Sequence, residues 1–146
     1  MKKVFVLMVV FVLMVVFVAM GLFAKAQCDG VTKWNCTKMK IVDQSGNVVN
    51  EKEDNIVVLV SNKNITVTPG DDSHKMEGPV TEFNCKWSAP GKTGKTILKS
   101  DLQDAEKLRH ATVTIEAVDG KITITLEAPE ETTKIVLDVK DYEAVK

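Results

Sequence analysis

The chain is poor in the residues that build metal sites. His74 and His110 are its only histidines, and neither has a second histidine or a cysteine at ligand spacing. Transition-metal sites draw on such clusters, so no metal ligand is assigned. A basic excess is also missing. Residues 27–146 carry all 20 acidic residues and 16 of the 19 basic ones, a formal charge of −4. Without a basic stripe there is no electrostatic footprint for nucleic acid, and none is expected as a partner. Nucleophile elbows, H-E-x-x-H and catalytic-cysteine contexts are absent as well, so no catalytic residue and no cofactor-binding residue is assigned. Cysteine is scarce. Cys28, Cys36 and Cys85 allow at most one internal bridge, with one thiol left over.

What the chain does have begins at its front. Met1-Lys2-Lys3 precedes an uncharged run from Val4 to Ala24, in which the word FVLMVV is written twice and begun a third time. Ala24-Lys25-Ala26 follows, then Gln27. A basic start, an apolar stretch and a small-x-small triplet describe a secretory signal peptide, cut between Ala26 and Gln27. The run of 21 residues exceeds the roughly 7–15 of an ordinary signal core. About 20 apolar residues can span a bilayer, so an uncleaved anchor is the alternative. Both readings put Lys2 and Lys3 inside and everything after residue 26 outside. Contact with a membrane is then expected only through residues 4–24, if they are retained. Cys28 does not read as a lipoprotein cysteine, because Gln27 stands where lipid attachment needs a small residue.

Outside the cytosol a bridge is expected, and the flanking residues favour one pairing. Trp34-Asn35-Cys36 and Cys85-Lys86-Trp87 both set a tryptophan two residues from a cysteine. An antiparallel register with Cys36 opposite Cys85 also sets Trp34 opposite Trp87, since both pairs sum to 121. Such a bridge would close a loop of about 50 residues, worth up to roughly 4 kcal/mol in the chain-entropy model. Cys28 is then the spare thiol. A local Cys28–Cys36 bridge, or none, stays open.

Beyond residue 30 the dominant period is two. In ATVTIEAVDGKITITLEA, 111–128, Asp119-Gly120 signals a two-residue hairpin. Its register sums to 239 and sorts Ala111, Val113, Ile115, Ala117, Ile122, Ile124, Leu126 and Ala128 onto one face. The other face carries mostly threonine, glutamate and lysine, as a sheet with one wet side requires. In TKIVLDVK, 133–140, Ile135, Leu137 and Val139 continue the inner face. Earlier strands are expected at 37–43, 47–50, 55–60, 65–69, 79–87 and 95–99. The stretch NIVVLV, 55–60, is apolar on both faces and should be central or covered. A short helix is expected over 100–109, with Ser100 as cap and Gln103 completing a capping box. The polar loop 69–78 is the expected mobile segment.

Several motifs resolve to plain structure. APGKTGKT, 89–96, fits a loose phosphate-loop form, but a helix would have to begin at Lys95-Thr96, where the sequence reads as strand. A hairpin turn is expected there. Asp71-Asp72 lacks the wider ligand set of a calcium site. Glu130-Glu131 is a loop pair without specificity. Thr66-Val67-Thr68, Thr112-Val113-Thr114 and Thr123-Ile124-Thr125 place threonines on outer faces, where threonine suits a pleated surface. Asn35-Cys36-Thr37 and Asn64-Ile65-Thr66 are glycosylation sequons, relevant only on a eukaryotic secretory route.

The expected architecture is all-β: a single domain over 27–146, an antiparallel sandwich or a small up-and-down barrel of about eight strands, behind a signal or anchor helix over 1–26. The expected function is that of a small exported protein, secreted or periplasmic, that binds or supports rather than catalyses. Its partner would be a small apolar ligand or a protein or polysaccharide surface. A lipocalin-like carrier barrel is one alternative, and a secreted hydrolase using loop carboxylates is the other.

Overall fold

A computed structural model describes residues 28–71 and 74–145. The expected cleavage site at Ala26–Gln27 and the apolar run before it lie outside the described residues. Eight strands follow one another around a closed antiparallel barrel. They are β1 (Val31–Asp43), β2 (Val48–Val60), β3 (Asn64–Thr68), β4 (Met76–Ala89), β5 (Thr93–Gln103), β6 (Leu108–Val118), β7 (Lys121–Glu127) and β8 (Thr133–Val145). A long ladder between β1 and β8, from Val31↔Val145 to Asp43↔Thr133, closes the ring. The choice between sandwich and barrel is therefore settled as barrel. Closure leaves each one-sided ribbon a partner on both flanks and removes the exposed edges of an open sheet.

The hairpin of β6 and β7 has the expected register, Thr112↔Glu127 through Val118↔Lys121. Asp119 and Gly120 turn at φ 52 and 82, the positive values that this two-residue turn demands. The inner face is the one read from the sequence: Val113, Ile115, Ile124 and Leu137 are all buried. Burial of such side chains contributes about 1.5–3 kcal/mol each.

Several expectations are corrected. Residues 47–50 and 55–60 are not two strands. Glu51–Asp54 carry β2 through without a break. β2 is flanked on both sides, by β1 and β3, but no described element covers its outer face: Val57 and Leu59 face outward and are half-buried, because a barrel has only one dry side. The helix over 100–109 does not form. Thr96, Leu98, Ser100 and Leu102 are buried at every second position of β5, and a turn over 104–107 leads into β6. Ser100 and Gln103, the expected capping box, lie within β5, and the turn after them is held instead by Asp104, whose Oδ1 accepts from the amides of Glu106 and Lys107, each at 2.8 Å.

The bridge joins Cys28 to Cys85, and Cys36 is the free, buried thiol. The roles expected for Cys28 and Cys36 are thus exchanged. The reason is topological: β1 and β4 are not neighbours, so Cys36 and Cys85 never meet as a cross-strand pair. Cys36 faces inward from β1, with Ile56 and Val139 as its register partners. Trp34 and Trp87 do meet, but through the barrel interior, with ring centroids 6.0 Å apart.

Candidate functional site

In a meander the turns alternate between the two ends of the barrel. At one end lie the turns before β3, β5 and β7, together with Val31 and Val145. The adjoining turns touch there, with the Gly120 amide donating to the Lys92 carbonyl at 3.1 Å. This end is packed shut. Trp34 stacks on Trp87 and lies 5.1 Å, centroid to centroid, from the ring of Tyr142. Gly94 leaves room for the Trp87 indole to lie over the opposite strand, since a Cβ there would strike the ring. Thr96 Oγ1 accepts from Trp87 Nε1 at 2.8 Å and donates to Cys85 Sγ at 3.4 Å. The residues that mimic a phosphate loop are thus a turn at Pro90–Lys92 and the start of β5, with Thr96 inside the core.

The other end opens into a cavity of about 510 Å³. Its wall is apolar, made by Met39, Ile41, Ile56, Met76, Leu126 and Ile135. A bulge in β1 between Cys36 and Lys38 positions the first two. Trp34 and Cys36 face inward, so strict alternation would send Lys38 and Lys40 in. The extra residue shifts the phase, Met39 and Ile41 turn inward opposite Leu137 and Ile135, and the lysines face out. The same phase in β2 places Lys52 and Asp54 on the inner side at the mouth, 3.6 Å apart as an ion pair.

The mouth is built from charge. Arg109, at the start of β6, donates from Nη1 to Asp104 Oδ2 at 2.7 Å and from Nε to Glu131 Oε1 at 3.3 Å. Lys107 Nζ reaches the same Glu131 oxygen at 2.7 Å. One guanidinium therefore ties the β5–β6 turn to the β7–β8 loop. The amide of Glu106, then the Arg109 guanidinium, hold the Asp104 carboxyl down at about 2. Lys107, then Arg109, hold Glu131 below the usual carboxylate range. Both are anions at neutral pH. β3 is short and pairs only with Val57–Val60 of β2 and Met76–Pro79 of β4. Toward the mouth the chain after β3 takes its place, with Gly70 so close to Asn55 and the Asp54 carboxylate that a Cβ would collide with them. Asp71 and His74 line the cavity from this segment, and Asp72 lies outside the described residues.

His110 faces outward instead. Its Nδ1 lies 2.6 Å from Asp101 Oδ1, which raises its pKa, with Glu130 adding. Glu130 and Glu131 are separately engaged, by the His110 amide and by Lys107 with Arg109. Thr114 and Thr125 are neighbours on the outer wall, with Thr112 and Thr123 beside them, while Thr66 and Thr68 belong to β3. The three Thr-x-Thr stretches do not form one array. Among the described residues no group of three histidine, cysteine, aspartate or glutamate side chains is arranged to hold a metal ion.

The sequence offers a carrier barrel only as an alternative and does not locate its cavity, and it places Arg109 in the expected helix over 100–109. The cavity arises where inward side chains from seven strands fall short of one another, which no single strand reveals. Two buried polar atoms, Trp34 Nε1 and Ser100 Oγ, have no hydrogen-bond partner among the described residues. Ser100 sits opposite Ala111 and one inward step from Leu102, both of which line the cavity. Comparison with protein-family models, curated proteins and solved structures finds no significant match.

Proposed function

We propose that this protein is an exported carrier that holds a small, largely apolar molecule in the open end of its barrel. One observation carries the reading: the cavity of about 510 Å³ with its apolar wall. That volume lies within the roughly 300–1,000 Å³ of small-molecule sites, as does the combination of an apolar body with a few charged groups at the opening. A depression of about 690 Å³ beside the disulfide is an open surface dip, lined by Asp29, Lys86 and Ser88 among others, and offers no such wall. The Cys28–Cys85 bridge fits an oxidising compartment. On this reading residues 1–26 direct export, and the released chain begins at Gln27. N-terminal sequencing of the exported protein checks that start, and an intact Met1 in the membrane fraction would select the anchor instead.

The carrier reading is tested with N-phenyl-1-naphthylamine, an uncharged dye that brightens in apolar surroundings. The protein should enhance its fluorescence saturably. Ala128→Trp, which adds bulk at the rim of the cavity, should weaken the dye by tenfold or more with the circular dichroism unchanged. Native mass spectrometry of fresh material should show a co-purified amphiphile. A protein that never brightens the dye and flies only as the bare chain is not a carrier.

A further inference from the structure

Resting on that reading, we propose that the ligand is an amphiphile with a cationic head: an apolar tail in the cup and an ammonium group at the mouth. The charges lining the opening are unequal. Asp54, Asp71, Asp104, Glu106, Glu127 and Glu131 face Lys52 and Arg109. The cations are also spoken for. Arg109 is held by Asp104 and Glu131, and Lys52 pairs with Asp54. Lysines flanking the mouth are engaged as well: Lys75, Lys107 and Lys134 pair with Glu77, Glu131 and Glu127.

A carboxylate head, as on a fatty acid, would have to share a cation that already holds a carboxylate, in a mouth where acidic groups outnumber basic ones. An ammonium head displaces nothing. Glu106 lines the opening, and its carboxylate has no hydrogen bond or ion pair among the described residues. A hydroxyl head gains little from the field either way. The expected order of affinity for one tail length is therefore ammonium, then alcohol, then carboxylate. The preference is electrostatic and near the surface, so it fades as salt shortens the screening length from about 30 Å at 0.01 M to about 3 Å at 1 M.

The test is displacement of N-phenyl-1-naphthylamine by decyltrimethylammonium, 1-decanol and decanoate below their micelle concentrations, at pH 7 and 10 mM salt. The cation should bind about tenfold more tightly than the carboxylate, a difference of about 1.4 kcal/mol. The gap should close toward parity in 1 M sodium chloride. Glu106→Lys should cut the cation-to-carboxylate ratio several-fold, while Glu116→Lys, on the outer wall, leaves the order intact. Decanoate binding as well as or better than the cation overturns the head-group assignment and leaves the carrier standing. So does a preference indifferent to both salt and Glu106→Lys. If the dye itself never binds, the carrier reading falls and the head-group assignment falls with it.

Discussion

The two ends of this barrel share one wall and one alternation, yet one end is a core and the other a cup. At the closed end the inward positions are taken by Trp34 and Trp87, with Tyr142 and the disulfide beside them. At the open end the equivalent positions hold methionine, isoleucine and alanine, then charged residues at the rim. An eight-stranded barrel has an interior just wide enough to be filled by side chains or to hold one small ligand. Strand number sets that width, and side-chain volume decides between the two outcomes. On the carrier reading, stability and binding are thus assigned to opposite ends of one ladder.

The largest test of this division is Trp34→Ala. It should cost about 3–5 kcal/mol in urea denaturation, as a fully buried tryptophan lost from a packed core does. Ile135→Ala, in the half-buried cup wall, should cost less than about 2 kcal/mol because its site is already partly open, but it should weaken the dye. Equal stability costs at both positions would erase the distinction between the ends.

Next in size is the bridge. Cys28→Ser with Cys85→Ser should lower stability by up to roughly 4 kcal/mol, the chain-entropy value for a loop whose ends are 57 residues apart. Dye affinity should hold, since the bridge lies at the far end. Burial, with the charge of Asp138 adding, pushes the Cys36 thiol up to about 12. It should ignore thiol reagents until the chain is denatured.

A smaller effect, of opposite sign, is expected at Ser100. Its hydroxyl is buried without a partner among the described residues, so Ser100→Ala should be neutral or stabilising by up to about 1 kcal/mol. A fall in ligand affinity in that variant would show that a polar atom of the ligand reaches this depth.

The smallest is the pH response of the mouth. Asp104 titrates at about 2 when folded against an ordinary 3.8. A depressed carboxyl stabilises the fold above its unfolded value, and that contribution is lost as pH falls through the folded one. The denaturation midpoint should therefore drop further below pH 3.8 than in Arg109→Gln, which removes part of the cause. Near neutrality the two proteins should respond to pH alike.

Where a strand has one wet face, the sequence was enough to read it. The β6–β7 register, the Asp119-Gly120 turn and the inward set of β8 follow from alternation and from the positive φ that this turn needs. The misread helix shows the limit of such local signals. Ser100 and Gln103 match a capping box, but in the fold they continue β5, because burying Leu98 and Leu102 on one face outweighs a side-chain cap. The disulfide and the bulge lay further out of reach. Which cysteines meet depends on which strands face each other across the interior, and alternation along one strand does not carry that information.

The sequence by itself determined that the chain folds as antiparallel ribbons with one dry side, since period two follows from the pleat alone. Only the tertiary structure decided that the ribbons close into a ring, that Cys28 rather than Cys36 reaches Cys85, and that the dry space is filled at one end and open at the other. Those outcomes depend on distances between residues far apart in the chain, which exist only once the ring has closed.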